Sequence, residues 1–194
     1  FCSIFAFFLI KCGQNPNKET VLVKAITKEG LVLFNDGTSR AIPYFNDSTA
    51  VILYLVRHAE KDRAGGDDPD LTAEGRARAV RLSEIFKDAY LSRLVVSNKK
   101  RTLQTVLEIK KRLDPSIETV PADVVPMALA NELYQEDRGR KILVAHHSNT
   151  IPIWLDFVTN GKQQFPPIDD ADFGRFFIVS TRAKGDAAVM DLRY

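Results

Sequence analysis

The chain of 194 residues carries 27 Lys and Arg against 25 Asp and Glu, and 45% of it is hydrophobic. These proportions describe one globular domain with room for a small appendage, exclude a disordered or fibrous chain, and at net charge +2 give no reason to expect nucleic acid as a partner. The only cysteines, Cys2 and Cys12, stand near the start, which excludes a disulfide framework or a Cys-based zinc site in the body.

Phe1 to Ile10 (FCSIFAFFLI) is apolar except for Ser3. The run is too short for a bilayer, which takes about 20 residues, and matches the apolar core of a secretory signal. Because the chain opens at Phe1, the basic start of such a signal is expected to be missing. Cys12 close behind the run, followed by the polar Gly13 to Glu19, resembles the end of a bacterial lipoprotein signal, with Lys11 where that pattern takes a small residue. Residues 1–19 are therefore expected to be a signal or anchor remnant and linker, giving an exported or lipid-anchored protein of a bacterial envelope. A buried first strand or helix of a cytoplasmic domain is the alternative.

Val21 to Ile26 and Leu31 to Phe34 are rich in β-formers, and Asn35-Asp36-Gly37 supplies a turn. Residues 20–48 thus read as a small β-hairpin appendage. Over residues 50–194 strands and helices alternate. Val51 to Val56 is apolar throughout, the pattern of a strand covered on both faces. A helix opens near Thr72, with Ala79, Leu82, Phe86 and Ala89 on its apolar face. Leu94 to Val96 is a second buried strand, followed by a helix expected to turn Leu103, Val106, Leu107 and Leu113 inward. Ile117 to Val120 is a third strand, Met127 to Tyr134 a helix, Ile142 to Ala145 a fourth strand and Ile151 to Val158 a helix. Phe176 to Val179 and Ala188 to Leu192 close the chain as strands. This alternation predicts an α/β fold, a mostly parallel sheet with helices on both faces. Ligands bind such sheets beyond the carboxyl ends of the strands.

Three strand ends carry residues suited to a phosphoryl group: Arg57-His58-Ala59-Glu60-Lys61, Ser97 to Thr102 with Arg101, and His146-His147-Ser148-Asn149-Thr150. All three histidines of the chain fall at such ends. A phosphoryl group in transfer spreads charge over three oxygens, so catalysis is mostly positioning and charge stabilisation. Two guanidiniums fork onto those oxygens, a neutral imidazole attacks phosphorus in line, and adjacent cations help keep it neutral. A carboxylic acid then protonates the departing alkoxide.

Leu55-Val56-Arg57-His58-Ala59-Glu60-Lys61 resembles the RHG-type signature of the histidine phosphatase superfamily, in an RHAE variant. Leu71-Thr72-Ala73-Glu74-Gly75 is similar to its LT-x-x-G segment, Ser97 to Thr105 to its S-x-x-x-R-T-x-Q-T segment, and Val144 to Pro152 to V-x-G-H-S-N-T-x-P. The resemblance covers about residues 50 to 194 and implies a phosphoglycerate mutase-like fold. It also implies His58 as nucleophile, Arg57 and Arg101 as phosphate clamp, and His147 as the second histidine of the phosphate pocket. His146 replaces the usual glycine; by strand alternation it packs beneath the sheet, the other outcome being a crowded pocket. Asp123, just past the third strand, is the candidate acid, with Glu60 and Glu132 as rivals. Lys61, Ser97 and Ser148 are further candidate phosphate contacts.

The basic runs Lys99-Lys100-Arg101 and Lys110-Lys111-Arg112 read as a solvated helix face rather than a nucleic-acid patch. Asp67, Asp68 and Asp70 lack the full spacing of a calcium loop. The expectation is a metal-independent phosphomonoester hydrolase without cofactor, acting through a phosphohistidine on a phosphorylated small molecule or phosphoprotein. Phosphoglycerate mutase-type transfer and a noncatalytic phosphoryl-binding protein are the alternatives. Oligomeric state and the particular substrate are not legible.

Overall fold

The structure, a computed structural model, describes residues 20–122 and 130–194. The readings of residues 1–19 and of Asp123 lie outside the described residues, as do Met127 to Leu129 of the expected helix.

A three-stranded antiparallel sheet of β1 (Val23–Ile26), β2 (Leu31–Phe34) and β3 (Ser39–Ala41) comes first. The expected hairpin therefore gains a third strand. Asn35-Asp36-Gly37 turns β2 into β3, with Gly37 at φ 84°, while Gly30 at φ 85° serves the turn from β1 to β2. Every residue of β3 is exposed, so it shows none of the alternation that marks a half-buried strand. Val23, Ile26, Val32 and Phe34 join one apolar core with Leu82, Phe86, Met190 and Leu192 of the larger unit.

That unit is built on a six-stranded sheet of order β6-β5-β7-β4-β8-β9. β4 (Val51–Arg57), β5 (Arg93–Ser97), β6 (Ser116–Val120) and β7 (Lys141–His146) are parallel; β8 (Arg175–Ala183) and β9 (Asp186–Arg193) form an antiparallel hairpin at one edge. β4 lies between β7 and β8 with all seven residues buried, which explains its unbroken apolar run. Its side chains alternate between two cores. Ile52, Tyr54 and Val56 face α1 (Ala73–Ile85) and α2 (Lys100–Leu113); Val51, Leu53 and Leu55 face α4 (Ile151–Thr159). Each such apolar side chain contributes roughly 1.5–3 kcal/mol when fully buried. A short α3 (Ala130–Gln135) precedes β7.

The helix after β5 departs from expectation. Thr102, Thr105, Val106 and Ile109 are its buried residues, whereas Leu103 and Leu107 are exposed. Both threonine hydroxyls bond backbone carbonyls, Thr102 to Lys99 (2.7 Å) and Thr105 to Arg101 (2.6 Å), so they enter the interior with their polar groups satisfied. The basic run along α2 is paired: Lys110 with Asp114, Lys111 with Glu108 and Arg112 with Glu84.

Candidate active site

Sheet order sets three strand ends side by side. β7 pairs with β4 on one flank and β5 on the other, placing Arg57 opposite His146 and Val96 opposite Ala145. Arg57 closes β4 with His58 just after it, Ser97 closes β5, and His147 follows β7. Arg101 comes from the first turn of α2. Around these ends lies a hollow of about 550 Å³ lined by Arg57, His58, Lys61, Arg63, Arg101, Ala122, His147, Ser148, Asn149, Asp170 and Phe173. Arg57, His58, Arg101, His147 and Ser148, named from sequence, thus share one cavity.

His58 is 4% exposed, and its Nδ1 lies 2.8 Å from the Ala59 carbonyl. A carbonyl oxygen only accepts, so Nδ1 carries the proton and Nε2 of the neutral ring keeps its lone pair. Burial pushes the imidazole down to about 4, Arg101, Arg57 and Lys61 push the same way, and the Ala59 carbonyl opposes them. The ring is therefore neutral near pH 7. His147 stands edge-on to it at 5.4 Å between ring centres, with Nε2 3.0 Å from the Ser97 hydroxyl. Burial, with His146 and Arg101 next in weight, brings His147 down to about 3.

Arg57 donates through Nη1 to the Asp169 carbonyl (2.8 Å) and through Nη2 to Asp170 (3.3 Å), and it stacks on Phe173 at 4.2 Å. Its buried Nε has no partner; neither do Nε and Nη1 of Arg101, whose nearest carboxylate is Asp68 at 3.8 Å. Burial pulls both guanidiniums below their usual range, yet an arginine stays charged in proteins. Unsatisfied buried N–H groups of two cations at one cavity form a seat for an anion.

The remaining motif residues hold this seat in place. Thr105 accepts the Ala59 N–H (2.9 Å), and Thr102 meets the Ser97 hydroxyl at 2.9 Å. Gln104 accepts from Leu71 N–H (2.8 Å) and donates to Asp70 (2.7 Å); Asp68 accepts from Lys100 N–H (3.0 Å). The aspartate loop is thereby a tether to α2. Thr72 caps α1 by accepting from Gly75 N–H (3.0 Å), and its own N–H donates to the Glu60 carbonyl (2.9 Å).

His146 does not line the hollow. It is buried on the α4 side of the sheet, with Nδ1 2.6 Å from Thr150 Oγ1 and its ring 4.9 Å from that of His147. Neither rival acid reaches the cavity: Glu60 accepts both arms of Arg78 (2.7 and 2.8 Å), and Glu132 faces Arg93 at the opposite end of β5. Asn149 belongs to a strand end named from sequence, whereas Arg63, Asp170 and Phe173 were not singled out there. The last two sit in the loop between α4 and β8, whose composition gives no sign of which side chains turn inward. Among the described residues no group of three or more His, Cys, Asp or Glu converges as metal ligands.

Fold and cavity together define an α/β domain with a cationic hollow at its strand ends. Residues 53–122 match the model of the histidine phosphatase superfamily (branch 1). No curated protein matches the chain. Among solved structures, the protein histidine phosphatase SixA complexed with tungstate is similar at TM-score 0.58 and 19% identity, over 73% of this chain and 96% of that one. A phosphohistidine phosphatase SixA from Nakamurella multipartitia gives TM-score 0.55 and 20% identity over 73% and 94%. A phosphoglycerate mutase from Bacillus anthracis gives 0.56 and 15% over 75% and 94%. At these identities the likeness is one of fold.

Proposed function

We propose that the chain is a phosphomonoester hydrolase working through a phosphohistidine on His58. One observation carries the reading: the Ala59 carbonyl holds the proton on His58 Nδ1, leaving Nε2 bare in a cavity that also holds two guanidiniums with unpaired N–H groups. Arg57 and Arg101 hold the phosphoryl oxygens, and His147 adds its ring to the same pocket. Nε2 attacks phosphorus in line, and water then cleaves the phosphohistidine. The match of residues 53–122 to the superfamily model supports phosphoryl chemistry in general.

Lys61 and Arg63 also line the cavity, and they favour phosphoglycerate mutase-type transfer as the second reading, since a mutase holds a doubly phosphorylated intermediate. The apolar Phe1 to Ile10 with Cys12 supports export or lipid anchoring, tested by fractionation of cells producing the full chain.

A phosphatase screen over sugar phosphates, phosphoglycerates and a phosphohistidine peptide, with and without chelator, tests the hydrolase. Phosphate release should survive chelation and vanish in His58→Ala, and acid-quenched phosphodonor should leave label on His58. Phosphate moved between positions without release supports the mutase. Anion binding with no label on His58 supports a noncatalytic binder.

A further inference from the structure

Hydrolysis of an alkyl ester needs a proton for the departing oxygen, and the two described candidates from sequence are spoken for. Glu60 is clamped by Arg78, which holds it below the usual carboxylate range, and Glu132 lies at the wrong end of the sheet. Among the described residues one carboxylate lines the hollow, that of Asp170. Its neighbours are committed elsewhere: Asp169 accepts from Ala171 N–H (2.7 Å), and Asp172 is forked by Arg193 (2.9 and 3.0 Å). Asp170 has only two long contacts, Arg57 Nη2 at 3.3 Å and Ser148 Oγ at 3.4 Å, and its side chain is 83% exposed.

We propose that Asp170 is the catalytic general acid and base of this site, supplied from the loop between α4 and β8. The assignment rests on the hydrolase reading above. A phosphoryl group that takes over Arg57 frees the Asp170 carboxyl from its guanidinium contact. As the bond from His58 Nε2 to phosphorus forms and the ester P–O bond breaks, the departing oxygen takes the carboxyl proton and leaves as an alcohol. The carboxylate then takes a proton from water. The water oxygen bonds phosphorus, the N–P electron pair returns to Nε2, and free phosphate leaves with Asp170 protonated again.

The test compares p-nitrophenyl phosphate, whose leaving group needs no proton, with glycerol phosphate, whose alkoxide does, in wild type, Asp170→Asn and Asp123→Asn. Asp170→Asn should lose on the order of a hundredfold more kcat/KM on the alkyl ester than on the aryl ester, a steeper dependence on leaving-group basicity. Equal loss on both esters overturns the proposal, because it marks a binding or folding role. A gain on both overturns it as well, showing that Asp170 competes with phosphate for Arg57. So does the steeper dependence appearing in Asp123→Asn alone. If wild type shows no His58-dependent turnover of either ester, the hydrolase reading falls and the acid falls with it. Circular dichroism of each variant verifies the fold.

Discussion

Thr105 does not line the hollow, yet its hydroxyl ties the Ala59 peptide to the Arg101 carbonyl and so joins the end of β4 to α2. Thr105→Val keeps the shape and removes the acceptor, leaving the buried Ala59 N–H unpaired at a cost of about 1–3 kcal/mol. The expected outcome is lower stability in urea and lower kcat on phosphomonoesters, both restored in large part by Thr105→Ser. A kcat unchanged in the valine variant would place Thr105 in packing alone. At this scale the sequence was legible unevenly. Residue types at the strand ends marked side chains that meet at one cavity, but the partners of Gln104, Thr105 and Asp68 lie in segments that meet only through the fold. Asp170 was not singled out, since one aspartate among several in a polar loop differs from the others only in where it points.

Among the elements, α1 approaches the end of β4 so closely that a Cβ at position 75 would stand 2.2 Å from the Glu60 carbonyl oxygen. Main chain is met there, so no side chain can swing aside. Gly75→Ala should destabilise by about 1–3 kcal/mol or more, the range of overpacking strain, read from denaturant midpoints. Wild-type stability in that variant would contradict the close approach. The glycine of the LT-x-x-G segment therefore has a packing reason, which only the docked helix reveals. α2 teaches the converse. Its leucines and threonines offer rival helical stripes, and hydrophobicity alone favours Leu103 and Leu107. Burial of Thr102 and Thr105 becomes favourable once their hydroxyls find carbonyls, a fact that periodicity does not encode. Buried β4, by contrast, was plain from its apolar run, because a strand covered on both faces has no polar side to show.

For the molecule as a whole, the three imidazoles sit together under one cavity and all are depressed by burial, His58 and His146 to about 4 and His147 to about 3. In the unfolded chain each takes up its proton near the ordinary value of about 6.5, so the unfolded chain binds more protons as pH falls below that point. Their contribution is therefore complete above about 6.5 and is lost progressively as pH drops to about 4 and below. Each imidazole accounts for at most about 1.4 kcal/mol per pH unit within that window. Urea midpoints should fall between pH 7 and pH 5; a midpoint flat over that range would contradict the neutral cluster. One arrangement within it resists such change. What orients the His58 ring is a peptide oxygen of the adjoining residue, a group that neither ionises in water nor alters when a side chain is replaced. The tautomer of His58 is thus written into the main chain, and evolution can redecorate the walls of this cavity without re-solving which nitrogen keeps its lone pair.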